Sequence, residues 1–383
     1  MSGRRTGAEL VIVGGGVVGL AIAREVRRAG MDVVLLEKGR VGREASWAAA
    51  GMLSPLGEAL EPGPFLEFGL KSLRLWTSFA PTLEEETGVE LEFRRCGKLR
   101  LAFSEDEKDR LGNRLRWAHR RGVPARWLDG PEVRKAEPAV ASDPRGGLLL
   151  EEDYRVDNRA LGEALVRSAR DSGVEVQEGR EVTELRVQGG RAVGVGLADG
   201  SRLDAEAVVV AAGAWSGSLE GLPGSVPVHP ARGQMVALQP SAIPSDRVLE
   251  WEEGYLVPRD DGRVLAGATE ERVGYQRAVT AGGIRDVLAS AVRLAPELAG
   301  APVVELWSGL RPATPDGLPV LGAHPEVENV FLATGHFRNG ILLTPVTGEA
   351  MGKLICETES SGIPEEFAPG RLARTAMDEV TSS

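Results

Sequence analysis

The chain of 383 residues contains little cysteine and little histidine. Two cysteines, Cys96 and Cys356, are too few for a disulfide framework, and we interpret both as small buried hydrophobic residues. The four histidines lie far apart along the chain and lack cysteine or histidine partners at the spacing of metal ligands. We therefore expect neither a disulfide scaffold nor a metal site.

Long hydrophobic runs and an excess of basic residues are also missing. No stretch of about 18 apolar residues without a charge occurs, so we expect no membrane span. The formal net charge is −11 and the charges are interspersed, which argues against nucleic acid or an anionic membrane as a partner. The G-x-S-x-G motif of serine hydrolases is absent too. These absences favour a soluble cytoplasmic protein.

Glycine, by contrast, is abundant, with 49 residues, and its most informative cluster lies in VIVGGGVVGL, residues 11–20. A short apolar run typical of a buried strand precedes Gly14, Gly16 and Gly19, and a helical pattern follows them. In this order the glycines allow a tight turn, close approach of a pyrophosphate and close packing of helix on strand. A second predicted strand ends at Glu37, eighteen residues after Gly19, where a carboxylate accepts hydrogen bonds from ribose and repels a 2′-phosphate. The pattern predicts a dinucleotide site and disfavours NADP, while NAD and FAD both remain open.

Two further stretches carry strand and turn patterns of the same kind. One contains AVVVAAGAWS, residues 207–216, and the other ends in a helix after Thr347, whereas residues 229–305 alternate like antiparallel strands. We therefore expect an α/β fold with a discontinuous Rossmann-like nucleotide-binding domain and an inserted α+β substrate domain that contains a mainly antiparallel sheet. The expected boundaries are residues 1–84, 150–228 and 306–370 for the nucleotide-binding domain, 85–149 and 229–305 for the substrate domain, and 371–383 for a C-terminal tail.

Local signals indicate where several elements begin or turn. Ser104 and Glu107 have the spacing of a capping box that opens a helix. Asn158 is interpreted as the N-cap of the helix that follows it. Gly189–Gly190 and Asp199–Gly200 predict the turns of two hairpins.

The segment REASWAAAGM, residues 43–52, contains four consecutive tiny residues, Ala48 to Gly51. Tiny residues let the start of a helix approach a flat ring closely, and free N–H groups there can bind the ring or its phosphates. Close packing of alanines between helices explains the same pattern without a ligand. The sequence of this segment does not decide between the two interpretations.

Five motifs occur together and span nearly the whole chain. They are GGGVVG with Glu37, SWAAAGM, VVVAAGAWS, WSGLRPATPDGLPVLG (residues 307–322) and GHFRNGILLTPVTG (residues 335–348). Together they resemble the D-amino-acid oxidase superfamily of FAD enzymes, and within it the glycine oxidases of the thiamine pathway. The resemblance implies FAD held non-covalently, since the C-terminal region has no cysteine where sarcosine-oxidase relatives attach their flavin. It also implies oxidation of a primary or secondary amine next to a carboxylate, by a homo-oligomer that is commonly a tetramer.

The resemblance assigns three catalytic residues. Arg311, which we expect to follow an apolar strand over 303–307, holds the substrate carboxylate, because a guanidinium binds a carboxylate bidentately and keeps its charge. Tyr255 reaches the same carboxylate, and Arg338 forms a wall of the substrate site near the flavin. Without the motifs, Arg311 would be interpreted as a surface arginine in an ion pair, and Tyr255 as an ordinary aromatic residue of a half-buried strand.

The expected cofactor-binding residues lie in the four glycine- and alanine-rich turns. In the last turn, backbone N–H groups at a helix start stabilise negative charge on the reduced flavin, whereas His336 is equally well explained as a structural histidine. The expected set is Gly14, Gly16, Val17, Val18, Glu37, Lys38, Ser46, Ala48, Ala49, Ala50, Gly51, Met52, Val182, Ala212, Gly213, Trp215, Gly335, His336, Arg338, Asn339, Gly340 and Ile341.

The implied reaction is hydride transfer from the amino-acid Cα to flavin N5, which requires positioning of a neutral amine rather than a strong side-chain base. Glycine and other small amino acids or N-alkylglycines would give an imine that hydrolyses to glyoxylate and ammonia, with hydrogen peroxide formed from O2. The resemblance also implies that the product feeds thiazole formation in thiamine biosynthesis. The alternative is a D-amino-acid or hydroxyproline dehydrogenase of the same fold that passes electrons to a quinone or another acceptor.

Other classes explain less of the chain. An NAD dehydrogenase accounts for the first forty residues only, and a flavin-bearing binding protein remains as a function of a different class. The preferred substrate stays open among glycine, sarcosine, D-alanine and D-proline. A predicted loop with Glu270 and residues 272–275 borders the site, where we expect it to set substrate size, and no residue of it receives a role.

Overall fold

The computed structural model describes residues 7–59, 61–140, 143–224, 226–357 and 360–371. Apart from Arg371, the predicted C-terminal tail lies outside the described residues. The α-helices are α1 (Val17–Arg28), α2 (Ala45–Ala48), α3 (Pro55–Glu58), α4 (Pro64–Thr87), α5 (Glu105–Arg120), α6 (Gly130–Ala136), α7 (Asn158–Asp171), α8 (Ala281–Leu294) and α9 (Thr344–Ile355). Short 3₁₀ helices span Gly213–Ser218, Pro296–Gly300 and Glu365–Phe367.

The strands form two large sheets and one small one. They are β1 (Gly7–Val13), β2 (Val33–Glu37), β3 (Met52–Leu53), β4 (Arg94–Arg95), β5 (Lys98–Ala102), β6 (Arg126–Asp129), β7 (Gly146–Leu150), β8 (Tyr154–Arg155), β9 (Glu175–Glu178), β10 (Val182–Gln188), β11 (Arg191–Leu197), β12 (Arg202–Val210), β13 (His229–Leu238), β14 (Val248–Trp251), β15 (Gly254–Pro258), β16 (Val264–Gly267), β17 (Val303–Ala313), β18 (Val320–Ala323) and β19 (Val330–Thr334).

The first large sheet, which we call the nucleotide sheet, has a parallel centre in the order β9-β2-β1-β12-β19. Its central strands are apolar and buried on both faces: Leu10 and Ile12 of β1 pack in the core that also contains α1, α7 and α9, while Val11 and Val13 pack in the core on the opposite face. The antiparallel strands β10, β11 and β18 extend its edges.

The second large sheet, the substrate sheet, has the order β17-β13-β16-β15-β14-β5-β7-β6. Its neighbours are antiparallel except β14 and β5, which run parallel. Helix α8 packs against this sheet through Val287, Ala291 and Leu294. The predicted fold class, including the mainly antiparallel second sheet, agrees with this arrangement.

Several local predictions are confirmed and three are corrected. Ser104 and Glu107 form a reciprocal capping box, and the two predicted hairpin turns join β10 to β11 and β11 to β12. Asn158, however, is the first residue of α7, and the cap is Asp157, whose carboxylate accepts hydrogen bonds from two backbone N–H groups of the first turn. A side chain one residue earlier has the reach to satisfy those donors.

The second correction concerns Arg311, which lies inside β17 and not after it. The strand continues to Ala313 because β13 pairs with it along the whole length, with Ala231 opposite Arg311. The third concerns the helix start expected directly after Gly335: the chain forms turns and irregular structure there, and α9 begins only at Thr344. The expected domain boundary at residue 306 falls within β17, and the division into domains stays a prediction.

Within the described ranges, no helix combines the length and the apolar character needed to cross a bilayer.

Candidate active site

One large cavity lies where the carboxyl ends of the parallel strands meet the substrate sheet. The space free of atoms, including the open mouth, is about 1760 Å³. Carboxyl ends of parallel strands meet at one edge of a sheet, so turns that are distant in sequence converge there. All residues of the expected catalytic and cofactor-binding sets line this cavity except Gly335 and Asn339.

At one end the glycine turn brings the start of α1 to the cavity wall. Gly14 has φ +111°, and a Cβ at this position would lie 2.4 Å from the carbonyl oxygen of Ala211. A Cβ on Gly19 would lie 2.1 Å from the carbonyl oxygen of Gly14. Gly16, the N-cap of α1, has no side-chain cap, and the N–H of Val17 donates to Ser46 Oγ over 3.2 Å. The uncapped helix start is suited to an anionic group.

Glu37 completes this end of the cavity at the last residue of β2. Its buried carboxylate accepts the N–H of Gly15 through Oε2 (2.9 Å) and the N–H of Gly39 through Oε1 (2.8 Å), which fixes its orientation. An ionised carboxylate has about four acceptor positions, so it can still accept two ribose hydroxyls. The glycine turn and this carboxylate therefore fit a dinucleotide.

The REASWAAAGM segment lies between the cavity and β17. Ala48 to Met52 line the cavity, and the backbone after Ala48, the last residue of α2, is extended. On its other side Ala48 packs so closely on β17 that a Cβ at Gly309 would lie 2.4 Å from the Ala48 Cβ. Trp307 Nε1 donates to the Ala48 carbonyl at 3.0 Å. The sequence predicts that a helix start approaches a ring here. The structure instead has the end of the short helix α2, followed by extended chain.

An aromatic and charged cluster borders the nucleotide end of the cavity. Lys38 Nζ lies 3.1 Å from the ring centroid of Trp215, and the ring of Tyr275 stacks on Trp215 with centroids 5.6 Å apart. Arg277 forms an ion pair with Glu44 over 2.9 Å. Burial lowers the pKa of Lys38 and raises the pKa of Glu44. The loop that contains Glu270 and residues 272–275 therefore reaches from the substrate sheet to the nucleotide end of the cavity.

The substrate end is built around Arg311 and Tyr255. The Arg311 guanidinium lies over Gly233, where a Cβ would come within 2.4 Å of Nη2, and its Nη1 donates to the Thr269 carbonyl at 3.0 Å. Among the described residues, no carboxylate forms an ion pair with Arg311, and burial lowers its pKa. The Tyr255 hydroxyl contacts Met235 Sδ at 3.2 Å, and burial raises its pKa. A desolvated guanidinium without a carboxylate partner is suited to a carboxylate ligand.

Arg338 differs from Arg311 because it already has an anionic partner. Its Nε lies 3.3 Å from Glu58 Oε2, and the carboxylate of Glu58 raises the pKa of Arg338. Glu58 lines the cavity and is absent from the expected site. No motif marks it, since it is an isolated acid in the short helix α3. The glycines that give room to Arg311 and Ala48, Gly233 and Gly309, were missed as well.

The turn after β19 carries the last expected residues. His336 is buried, its Nε2 lies 3.2 Å from Thr347 Oγ1, and burial lowers its pKa to about 4, so the imidazole is neutral. Hydrogen bonds to Pro312 and His336 occupy the N–H groups of Phe337 and Asn339. The N–H groups of Gly340 and Ile341, which line the cavity, have no protein acceptor within the described part of the chain. These two donors fit the expected stabilisation of negative charge on a ligand.

A search of the described residues for metal ligands finds no group of three or more histidine, cysteine, aspartate or glutamate side chains that could hold a metal ion.

Comparison with known proteins places this geometry in a family. The family of FAD dependent oxidoreductases matches residues 9–354. A glycine oxidase from Geobacillus kaustophilus is 36% identical over 370 residues, covering 96% of this chain and 97% of that protein. The crystal structure of glycine oxidase from Geobacillus kaustophilus superposes with a TM-score of 0.90 at 35% identity, covering 94% of this chain and 98% of that chain.

Two further relatives differ in length or in substrate. The bifunctional protein ThiO/ThiG from Synechocystis sp. (strain PCC 6803) is 37% identical over 385 residues and 99% of this chain, but the chain spans about half of that relative, 56% of its length. Iminodiacetate oxidase from Chelativorans sp. BNC1 superposes with a TM-score of 0.84 at 28% identity, covering 94% of this chain and 98% of that chain.

These similarities confirm the predicted resemblance, and FAD is the dinucleotide of the family. The uncapped start of α1, the glycines without a Cβ and the carboxylate of Glu37 fit that cofactor. The chain therefore belongs to the FAD dependent oxidoreductase family.

Proposed function

We propose that this protein is an FAD-dependent amino-acid oxidase that acts on glycine and other small amino acids or N-alkylglycines. The observation that carries the proposal is the guanidinium of Arg311, which has no carboxylate partner among the described residues and lines the same cavity as the expected cofactor-binding turns. A substrate carboxylate is the group that such a buried cation stabilises best. The similarity to glycine oxidase from Geobacillus kaustophilus supports the same substrate class.

FAD, when bound, supplies the hydride acceptor and returns electrons to O2 as hydrogen peroxide. The protein's own contribution is positioning: Arg311 binds the carboxylate bidentately, and the Tyr255 hydroxyl donates a hydrogen bond to the same group. Gly233 leaves room for the guanidinium beside the substrate. His336, which is neutral and hydrogen-bonded to Thr347, adds no positive charge to this part of the cavity wall at neutral pH.

The residue roles, the domain division and the cellular context belong to the same proposal. Arg311, Tyr255 and Arg338 form the catalytic set, and FAD contacts the expected cofactor residues that line the cavity. We place the enzyme in the cytoplasm as a homo-oligomer, a tetramer by resemblance. The imine product would feed thiazole formation in thiamine biosynthesis, which the similarity to a bifunctional ThiO/ThiG protein supports.

The test is an anaerobic titration of FAD-loaded protein with glycine, sarcosine, D-alanine and D-proline, monitored by flavin absorbance. We expect bleaching by at least glycine or sarcosine, and stoichiometric peroxide when air is admitted. Bleaching by D-alanine or D-proline without peroxide would favour the dehydrogenase alternative. A flavin that none of the amino acids reduces would contradict both.

A further inference from the structure

Two guanidinium groups flank the substrate end of the cavity, but only one of them is free to bind an anion. Arg311 has no carboxylate partner among the described residues, whereas Arg338 is paired with Glu58. We propose that Glu58 restricts this enzyme to amino acids with a single carboxylate, because it neutralises Arg338 and repels a second carboxylate. The inference rests on the proposed function, since it concerns the substrates of that same site.

The contact between Glu58 and Arg338 lies at the cavity wall. Glu58 Oε2 is 3.3 Å from Arg338 Nε, and the Glu58 side chain is 11% exposed. Both residues line the cavity together with Arg311 and Tyr255. The charge of Arg338 also contributes to lowering the pKa of Arg311, which indicates that the two guanidinium groups lie near each other.

Buried charged groups that do not line the cavity lie next to Glu58. Lys98 Nζ lies 3.9 Å from Glu58 Oε1, and Lys98, with its side chain 1% exposed, forms an ion pair with Glu250. Arg100 Nη1 lies 3.2 Å from the other oxygen of Glu250. Gly57 leaves room for Lys98 beside Glu58, because a Cβ at Gly57 would lie 2.6 Å from Lys98 Nζ. Glu58 therefore has cationic neighbours on two sides, Arg338 at the cavity wall and the buried Lys98 outside the cavity lining.

The charge balance at the wall then determines what the site accepts. Arg311 offers one positive charge to one carboxylate. At the cavity wall Glu58 offsets the charge of Arg338, while Lys98, Arg100 and Glu250 lie outside the cavity lining. A substrate with a second carboxylate must bring a negative charge near Glu58, and like charges in a desolvated site oppose each other strongly. An acidic residue in this position therefore selects against dicarboxylates by repulsion.

Two N-substituted glycines of similar size provide the test, because they differ mainly in charge: iminodiacetate carries a second carboxylate and N-ethylglycine does not. For the FAD-loaded wild type we expect a lower kcat/KM for iminodiacetate than for N-ethylglycine. In Glu58→Gln the ratio of the two kcat/KM values should shift toward iminodiacetate by at least about tenfold. Glu349→Gln, which removes an acid that pairs with Lys71 outside the cavity, should leave the ratio unchanged.

An unchanged ratio in Glu58→Gln, whether activity is retained or falls equally for both substrates, would overturn the proposal. A wild-type enzyme that oxidises neither glycine nor N-ethylglycine would instead contradict the proposed function, so the two failures are distinguishable.

A binding measurement on the wild type covers the case in which Glu58→Gln does not fold. Glycolate and malonate are non-reactive acids with one and two carboxylates, and their binding can be followed by the perturbation of flavin absorbance. We expect glycolate to bind at least about tenfold more tightly than malonate. Equal affinity, or tighter binding of malonate, would contradict selection by Glu58.

Discussion

The two ends of the cavity offer different groups to a ligand. The nucleotide end uses backbone: an uncapped helix start, glycines without a Cβ, and Glu37, which is held by two backbone N–H groups. The substrate end uses charged side chains, with Arg311 free and Arg338 paired to Glu58. From this difference we expect cofactor affinity to depend on the path of the backbone, and substrate choice to depend on which charged side chains are paired.

The largest expected effect is at the substrate end. Arg311→Ala removes the cation that compensates a buried carboxylate, so the transition state should lose about 3–5 kcal/mol of stabilisation. This loss corresponds to a fall in kcat/KM for glycine of roughly a hundredfold to a few thousandfold. FAD binding, measured by the protein's absorbance spectrum after desalting, should be unchanged. Arg293→Ala, which breaks an exposed ion pair with Asp143, is the control and should keep full activity. Turnover of glycine by Arg311→Ala within about tenfold of wild type would disprove the assigned role.

The second prediction concerns how the stability of the protein depends on pH through one buried carboxyl group, that of Asp153. Asp153 is buried beside Ser54, and burial raises its pKa to about 7. An aspartate in the unfolded chain ionises near its model value of 3.8, so its contribution to stability is complete below that pH and is lost as pH rises through 7. Between pH 5 and 8 the loss is about 3 kcal/mol.

Asp153→Asn removes this titration. Relative to wild type, the variant's free energy of unfolding should therefore improve by about 3 kcal/mol from pH 5 to pH 8, as measured by denaturant titration of FAD-loaded protein. A difference between the two proteins that does not change with pH would mean that Asp153 is ionised in the folded state throughout.

A third effect probes the nucleotide end. Gly14→Ala adds a Cβ at φ +111° and within 2.4 Å of a backbone oxygen, so the turn must shift. We expect FAD affinity to weaken by roughly tenfold to a hundredfold, while the preference among amino acids at saturating FAD stays the same. Gly282→Ala, where nothing lies within 4 Å, should not alter FAD affinity. An altered substrate preference in Gly14→Ala would break the separation between the two ends.

The smallest effect concerns the Tyr255 hydroxyl. Tyr255→Phe removes one hydrogen bond to the substrate carboxylate but leaves Arg311 in place, so KM for glycine should rise about tenfold with little change in kcat. Steady-state kinetics in saturating O2 measures both constants. A fall in kcat at constant KM would indicate that the hydroxyl acts in the transition state alone.

The nucleotide end was predictable because its chemistry leaves a pattern in the sequence. Gly14, Gly16 and Gly19 must occur at fixed spacing between a strand and a helix, and Glu37 must end the next strand. The structure has β1, α1 and β2 in that order. The hairpin glycines and the capping box of α5 are local signals of the same kind, and they were read correctly.

The substrate end was less predictable because pairing between distant strands builds it. Gly233 and Gly309 lie opposite each other only through the register of β13 and β17, which also carries β17 past Arg311. The role that we propose for Glu58 depends on its contacts with Arg338, which lies 280 positions later in the chain, and with the buried Lys98. Arg311 and Tyr255 are predicted as site residues only through family motifs, because their own sequence neighbourhoods would otherwise indicate a surface ion pair and an ordinary strand aromatic.

The most direct test of the whole account is a crystal structure of FAD-loaded protein with glycolate, an acid that carries the carboxylate of the substrate but no amine. We predict the dinucleotide along the glycine turn and Glu37, with the glycolate carboxylate within hydrogen-bond distance of both Arg311 and Tyr255. Glycolate bound to Arg338 instead, or an Arg311 side chain turned toward solvent, would contradict the account.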